Sequence, residues 1–440
     1  MPDHVVLLSI PGLRGKDVDA MPRLRALASQ GDRAELVAGF PAVTCPVQAN
    51  MTTGVTPAEH GVVANGTFHR ERGSVEMWTE PNSCIARPQL WDILHDRAPG
   101  VTSAVWFPLH SKECGADYVC TPAPIHNPDG SESLWCYTKP ASLYGELVAE
   151  LGHFPLQHFW GPIANIKSTA WIVASAVRAA SRFQPNLFYI YLPHLDYAAQ
   201  KHGPDSAEAI NALGELDAQI GVLVDGVAGA YGDAAPLWLV ASEYAITPVD
   251  HVFYPNRVLR SAGLLKTHSG EAGEVIDYQA STAWAMADHQ LSHVFIRGDV
   301  DAQDGVAALL RKQPGVAEVF APSDAPHHDL AHPNSGELIV VSTPNSWQAY
   351  YWWTDDAMAP AFARTVDIHR KPGYDPVELF FDPATRGIPL DATLVKGSHG
   401  APAVDPSQRG VLLSSQRGVF VEGPTADTDV ADIVLRQFGI

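Results

Sequence analysis

Basic residues are scarce in this chain: 29 Lys and Arg stand against 49 Asp and Glu in 440 residues, a formal net charge of −20. Such a field repels polyanions and anionic lipid, so neither a nucleic-acid polymer nor a membrane is expected as partner. It repels phosphate esters as well. A site for them would need local positive charge, most economically from metal ions. Long apolar runs are also lacking, and none approaches membrane-spanning length. Cysteine is sparse and odd in number, with Cys45, Cys84, Cys114, Cys120 and Cys136. That count makes no clean disulfide framework, and Cys114 and Cys120 are too widely spaced for a Cys-x-x-Cys site. Free thiols in a reducing compartment are the plain reading. No basic leader precedes His4–Ile10, which reads as a core strand, so a cytoplasmic protein is expected.

What is present is a globular composition, 46% hydrophobic and 18% charged. The length predicts a large domain carrying an insertion, or two domains. Continuous apolar runs at Val5–Ile10, Asn186–Leu192 and Pro236–Ala241 read as buried parallel strands. Met21–Gln30 and Ala207–Ala228 have helical spacing. Strands alternating with helices predict an α/β fold: a mostly parallel central sheet with helices on both faces. Residues 276–345 change character, reading strand, helix, strand, strand. They predict a small inserted α+β cap subdomain, with 1–275 and 346–440 forming the core. Ligands of such sheets collect beyond the carboxyl ends of the strands.

Thr44 stands at one such place, in Pro41-Ala-Val-Thr44-Cys-Pro46, between an apolar run and a segment able to be helical. Free N–H groups and the positive dipole end gather at a helix start. A hydroxyl there can attack an anionic centre or ligate a metal; the plain alternative is an N-cap. Thr53-Gly54, Pro57-x-x-His60-Gly61 and Asn65 follow closely.

Residues 41–67 resemble the nucleophile region of the alkaline phosphatase superfamily, in its nucleotide pyrophosphatase/phosphodiesterase branch. Asn256–Leu265 and Gly397-Ser398-His399-Gly400 resemble it too. The resemblance implies an alkaline phosphatase-like fold, a nucleophilic Thr44, a phosphate-binding Asn65 and two divalent metal ions, with Zn first and Mn or Fe as alternatives. It matches the metal motifs only in part. An Asp-Gly is implied after the first strand, where Pro11-Gly12 stands. Asp196 is kept in the second motif, but Gln200 replaces its His. Glu243-Tyr244 stands where Asp-His is implied. His399 is intact. The ligands carried over are therefore Thr44, Asp196 and His399, with Glu243 as a conservative replacement. That is enough for one ion and not clearly for two.

Asp367-x-His369 sits two residues apart, on one face if extended, and lies shortly before His399. It is expected to complete a rebuilt site, against the alternative of a loop salt bridge. Lys371 could meet a substrate phosphate. Asp288-His289 is a second candidate cluster, while His327-His328 reads as a surface group. Trp78, Trp106, Phe107 and Trp160 could line an apolar part of the substrate, or simply pack. The expected function is metal-dependent hydrolysis of a small phosphorylated substrate, as a phosphodiesterase or pyrophosphatase. Two alternatives remain: a non-hydrolytic phosphoryl-ligand-binding protein on the same fold, and a phosphomutase or phosphonate hydrolase. Homo-oligomerisation stays open.

Overall fold

The computed structural model describes residues 3–126, 132–270, 272–421 and 423–440. The main strands are β1 (Val5–Ile10), β2 (Arg33–Val37), β3 (Ser103–Trp106), β4 (Tyr118–Pro122), β5 (Cys136–Lys139), β6 (Leu187–Tyr191) and β7 (Leu237–Ser242). A second group comprises β8 (Ala283–Asp288), β9 (Leu291–Ile296), β10 (Val316–Phe320) and β11 (Leu338–Ser342). β12 (Gly410–Ser414) and β13 (Thr425–Ala426) close the chain's return. The nine-stranded sheet runs β13-β2-β12-β7-β1-β6-β3-β4-β5. Its centre, β7-β1-β6-β3-β4, is parallel, and β12 and β5 pair antiparallel at its flanks.

The sequence dictates this burial directly. Every residue of β1 is buried, as a strand covered on both faces requires. Val6, Leu8 and Ile10 join a core with α2 (Ile166–Phe183) and α4 (Ala207–Tyr231). Val5 and Leu7 point the other way, to a core with α1 (Thr44–Thr53) and α6 (Asp429–Arg436). That alternation is the two-residue period of a strand. Asn165 and Ser206 cap α2 and α4 by accepting from Lys167 N and Ala209 N, at 3.0 and 3.1 Å. No described helix is long and apolar enough to cross a membrane.

The second group forms a four-stranded antiparallel sheet, β8-β9-β11-β10, with α5 (Val300–Leu310) against it. β8 is one strand more than the pattern of residues 276–345 suggested. This sheet shares a core with Phe253, Leu259 and the segment Trp347–Trp353, in which Tyr350, Tyr351 and Trp353 are fully buried. All five cysteines are free.

Candidate active site

Chain turns beyond the carboxyl ends of β1, β6 and β7 bring the site together, with α1 closing it. Val43 is extended and Thr44 opens α1, whose ten residues are all buried. Thr44 Oγ1 lies 3.0 Å from the Tyr244 hydroxyl, which donates to Asp196 Oδ1 at 3.3 Å. Asp196 and Gln200 share one face of α3 (His194–His202) at i, i+4. Gln200 Nε2 donates to Asp196 Oδ2 at 2.8 Å, and Tyr374 Oη donates to Gln200 Oε1 at 2.7 Å. Glu243 Oε1 accepts from Ser9 Oγ at 2.6 Å and Gln48 Nε2 at 2.7 Å. Its Oε2 is buried without a partner.

His399 Nδ1 bonds the Ala42 carbonyl at 2.8 Å. A carbonyl only accepts, so Nδ1 carries the proton and Nε2 holds a lone pair. That Nε2 is also buried and unpartnered. The Tyr244 ring stacks on His399 with centroids 3.5 Å apart and planes 7° apart. The β8–β9 turn supplies Asp288 and His289, the latter at φ 60°. His289 Nδ1 bonds Asp288 at 2.6 Å, and its ring stacks on Tyr374 at 3.6 Å and lies 3.8 Å from His399. Asn65 is fixed from two sides: Oδ1 accepts from Cys45 N at 2.9 Å, and Nδ2 donates to Asp288 Oδ1 at 3.0 Å.

Burial dominates the electrostatics. It pushes Asp196 up to about 7, against the bonds from Tyr244 and Gln200, and Glu243 up to about 8, against those from Ser9 and Gln48. Burial, with His289 beside it, holds His399 well below the usual imidazole range. His289 is lowered by burial despite Asp288.

A cavity of about 100 Å³, mostly apolar, opens onto Thr44, Asp196 and His289. Trp78 and Trp160 line it with Phe159, Tyr197 and Tyr374. Trp106 and Phe107 do not; both are core residues, 0% and 1% exposed. Lys371 lines the cavity, but its ammonium is taken up by Asp375 at 2.8 Å and Glu378 at 2.6 Å, all three buried. Burial alone would lower its pKa; the two carboxylates outweigh that and hold it charged. It is therefore not a free cation awaiting phosphate, as the sequence suggested.

Asp367 and His369 are not among the residues lining the cavity that opens onto Thr44, although Ile368 between them is. Asp367 pairs with Arg370, the salt-bridge alternative. The reason is local: Asp367 N bonds Glu378 Oε1 at 2.9 Å, which anchors this loop to the buried lysine cluster. His327-His328 is not purely a surface pair, for His328 is buried beside Glu318.

The donor set does not fit the implied pair of cations. Among the described residues, no three His, Cys, Asp or Glu side chains around Thr44 bring ligand atoms within 4.8 Å of one another. Pro11 has no ligand atom. Gln200 is spent on Asp196 and Tyr374, and the Tyr244 phenol stands between Thr44 and Asp196. Asp288 and His289 were the second candidate cluster of the sequence, and Tyr374 was not among the expected site residues. The Asp-His pair at the edge of the cap-like segment was the signal for the first two. Tyr374 carried none.

A largely parallel α/β sheet with a hydroxyl at a helix start beyond its strand ends defines an alkaline phosphatase-like protein. The Type I phosphodiesterase / nucleotide pyrophosphatase family matches residues 5–375, and the chain belongs to it. This is a family of phosphoric ester hydrolases, generally dependent on divalent metals. An uncharacterized pyrophosphatase/phosphodiesterase of Schizosaccharomyces pombe is 23% identical over 227 residues, 51% of this chain and 40% of that protein. The chain thus spans well under two thirds of that relative's length. Murine ectonucleotide pyrophosphatase/phosphodiesterase 5 superposes with a TM-score of 0.63 at 14% identity, over 99% of this chain and 95% of that one. An inactive threonine-to-alanine variant of the murine protein is known in complex with AMP. Phosphonoacetate hydrolase from Sinorhizobium meliloti 1021, in complex with phosphonoformate, gives 0.64 at 16% identity, over 99% and 96%.

Proposed function

We propose that this chain hydrolyses a small phosphodiester, with Thr44 as nucleophile. The observation that carries this reading is the Thr44 hydroxyl, set at the start of α1 in a residue that lines an aromatic cavity. The Thr44–Tyr244–Asp196 chain offers the proton a path: Thr44 to Tyr244 Oη, and the Tyr244 proton to Asp196. The Oγ1–P bond forms as the leaving oxygen departs and takes a proton from water. Water then releases the phospho-threonine. Asn65 does not line the cavity; in this reading its remaining amide N–H serves a phosphate oxygen, with the side chain held by Cys45 and Asp288. The neighbour's inactive threonine variant supports the role given to Thr44.

Charge favours a diester over a monoester. The one cation among the described lining residues, Lys371, is already neutralised, so a monoanion is repelled less than a dianion. Residues 276–345 would act as the cap over this cavity, and the five free cysteines suit a reducing compartment.

A second reading, ligand binding without turnover, is favoured by Pro11, Gln200 and Tyr244. Purified protein incubated with a nitrophenyl phosphodiester decides between them. Release of nitrophenol that Thr44→Ala abolishes supports hydrolysis. Saturable AMP binding with no release supports binding alone.

A further inference from the structure

We propose that this chain has exchanged the cation pair of its family for a hydrogen-bonded side-chain network, so that its centre forms and holds its ligand without a divalent ion. The inference rests on the placement of the ligand at Thr44. Its ground is that two of the residues departing from the family motifs, Gln200 and Tyr244, take up the retained Asp196 between them. Gln200, in place of histidine, spends its Nε2 on Asp196 and its Oε1 on Tyr374. Tyr244, also in place of histidine, spends its hydroxyl on Thr44 and Asp196. Its ring lies flat on His399, the one intact imidazole of the motifs. Glu243 is turned to Ser9 and Gln48.

Random loss of the partner ligands would leave the retained Asp196 carboxylate stranded in a buried site, at a cost. Here both carboxylate oxygens of Asp196 are bonded, by the two substituted residues themselves. A cation reaching Asp196 would have to displace the Tyr244 hydroxyl or the Gln200 amide. It would then find neither aspartate nor histidine where Pro11 and Tyr244 stand. Glu243 Oε2 and His399 Nε2 are two unpartnered lone-pair donors, and among the described residues neither belongs to a cluster of three Asp, Glu, His or Cys side chains able to hold an ion.

The test is a metal count. Wild-type protein is dialysed against Zn²⁺ and, separately, Mn²⁺, then desalted and measured by elemental analysis. Asp196→Ala and His399→Ala are treated alike, as is a restored variant with Pro11→Asp, Gln200→His, Glu243→Asp and Tyr244→His. Wild type is expected to retain no ion that Asp196→Ala or His399→Ala removes, and the restored variant to gain one or two per chain. An ion at Glu318/His327/His328 or His69/Glu76/Glu80 would be unmoved by those substitutions and is consistent with the proposal. A stoichiometric ion in wild type, lost in both alanine variants, overturns it. The wild-type count decides even if the restored variant does not fold. Phosphodiester turnover is scored separately. Metal-free turnover upholds both readings. Metal-free protein without turnover sinks hydrolysis alone, and turnover that needs an ion at Asp196 sinks this inference alone.

Discussion

Replacing Lys371 by Met tests whether this lysine serves the fold or the ligand. The ammonium is 1% exposed and sits 2.8 Å from Asp375 and 2.6 Å from Glu378, which are equally buried. Glu378 also accepts from Trp160 Nε1 at 2.5 Å and Asp367 N at 2.9 Å, so the cluster ties the cavity wall to the loop before it. Met fills a similar volume but leaves two buried carboxylates facing each other. Breaking a buried pair in this way costs about 3–5 kcal/mol, most of it the stranded charge. An unfolding entropy of ~2.1 cal/mol/K per residue gives about 0.9 kcal/mol/K for a chain of this length. If the chain unfolds as one unit, Tm should fall by about 4 °C, with a matching drop in the urea midpoint. Adding Asp375→Asn and Glu378→Gln removes the stranded charges and should recover much of the loss. The reasoning is refuted if Lys371→Met melts like wild type yet binds AMP or inorganic phosphate more weakly. That pattern would make the ammonium a ligand group.

Thr44→Ala should lower phosphodiester turnover by ~10³-fold or more, with an unchanged circular dichroism spectrum, since no neighbouring hydroxyl repeats its position; near-normal kcat would remove it from the chemistry. Asp427 is buried and bonds Gly39 N and Asn50 Nδ2, both at 2.8 Å, and burial pushes its pKa up to about 6. The folded state therefore holds this proton more tightly than the unfolded chain. The resulting stability is full below about pH 4 and falls as pH rises through about 6, by about 3 kcal/mol in all. Denaturation from pH 4 to 7 should show that fall, and Asp427→Asn should flatten it. Gly397→Ala puts a Cβ 2.3 Å from the Ala199 carbonyl, in the short strand Gly397–Ser398 that leads into His399. The backbone must shift, costing about 1–3 kcal/mol; a thermal melt equal to wild type would show that the two segments do not pack as described.

The core strands were legible in the sequence because their signal is local. Val5–Ile10 is apolar but for Ser9 and is buried throughout. The run at Asn186–Leu192 contains β6, and the helical pattern from Ala207 runs on to Tyr231. Thr44 was legible for the same reason: an apolar run, a hydroxyl and a proline in a first turn mark a strand-to-helix junction within a few residues.

The fate of the polar residues was decided only by tertiary structure. Asp367 was expected at a metal and Lys371 at a substrate phosphate, yet one pairs with Arg370 and the other with Asp375 and Glu378. Spacing along the chain does not say which carboxylate will be buried beside which cation. Tyr374 and Gln200 lie 174 positions apart, and Tyr244 and Thr44 lie 200 apart, yet both pairs are hydrogen-bonded. The sequence by itself determined where strands and helices form, and that Pro11, Gln200 and Tyr244 stand where metal ligands were implied. Only the packing of α1, α3 and the β8–β9 turn around the strand ends decided that two of those substitutions bond the retained Asp196. Hydrogen bonding in a buried site depends on which groups the whole chain brings within about 3 Å.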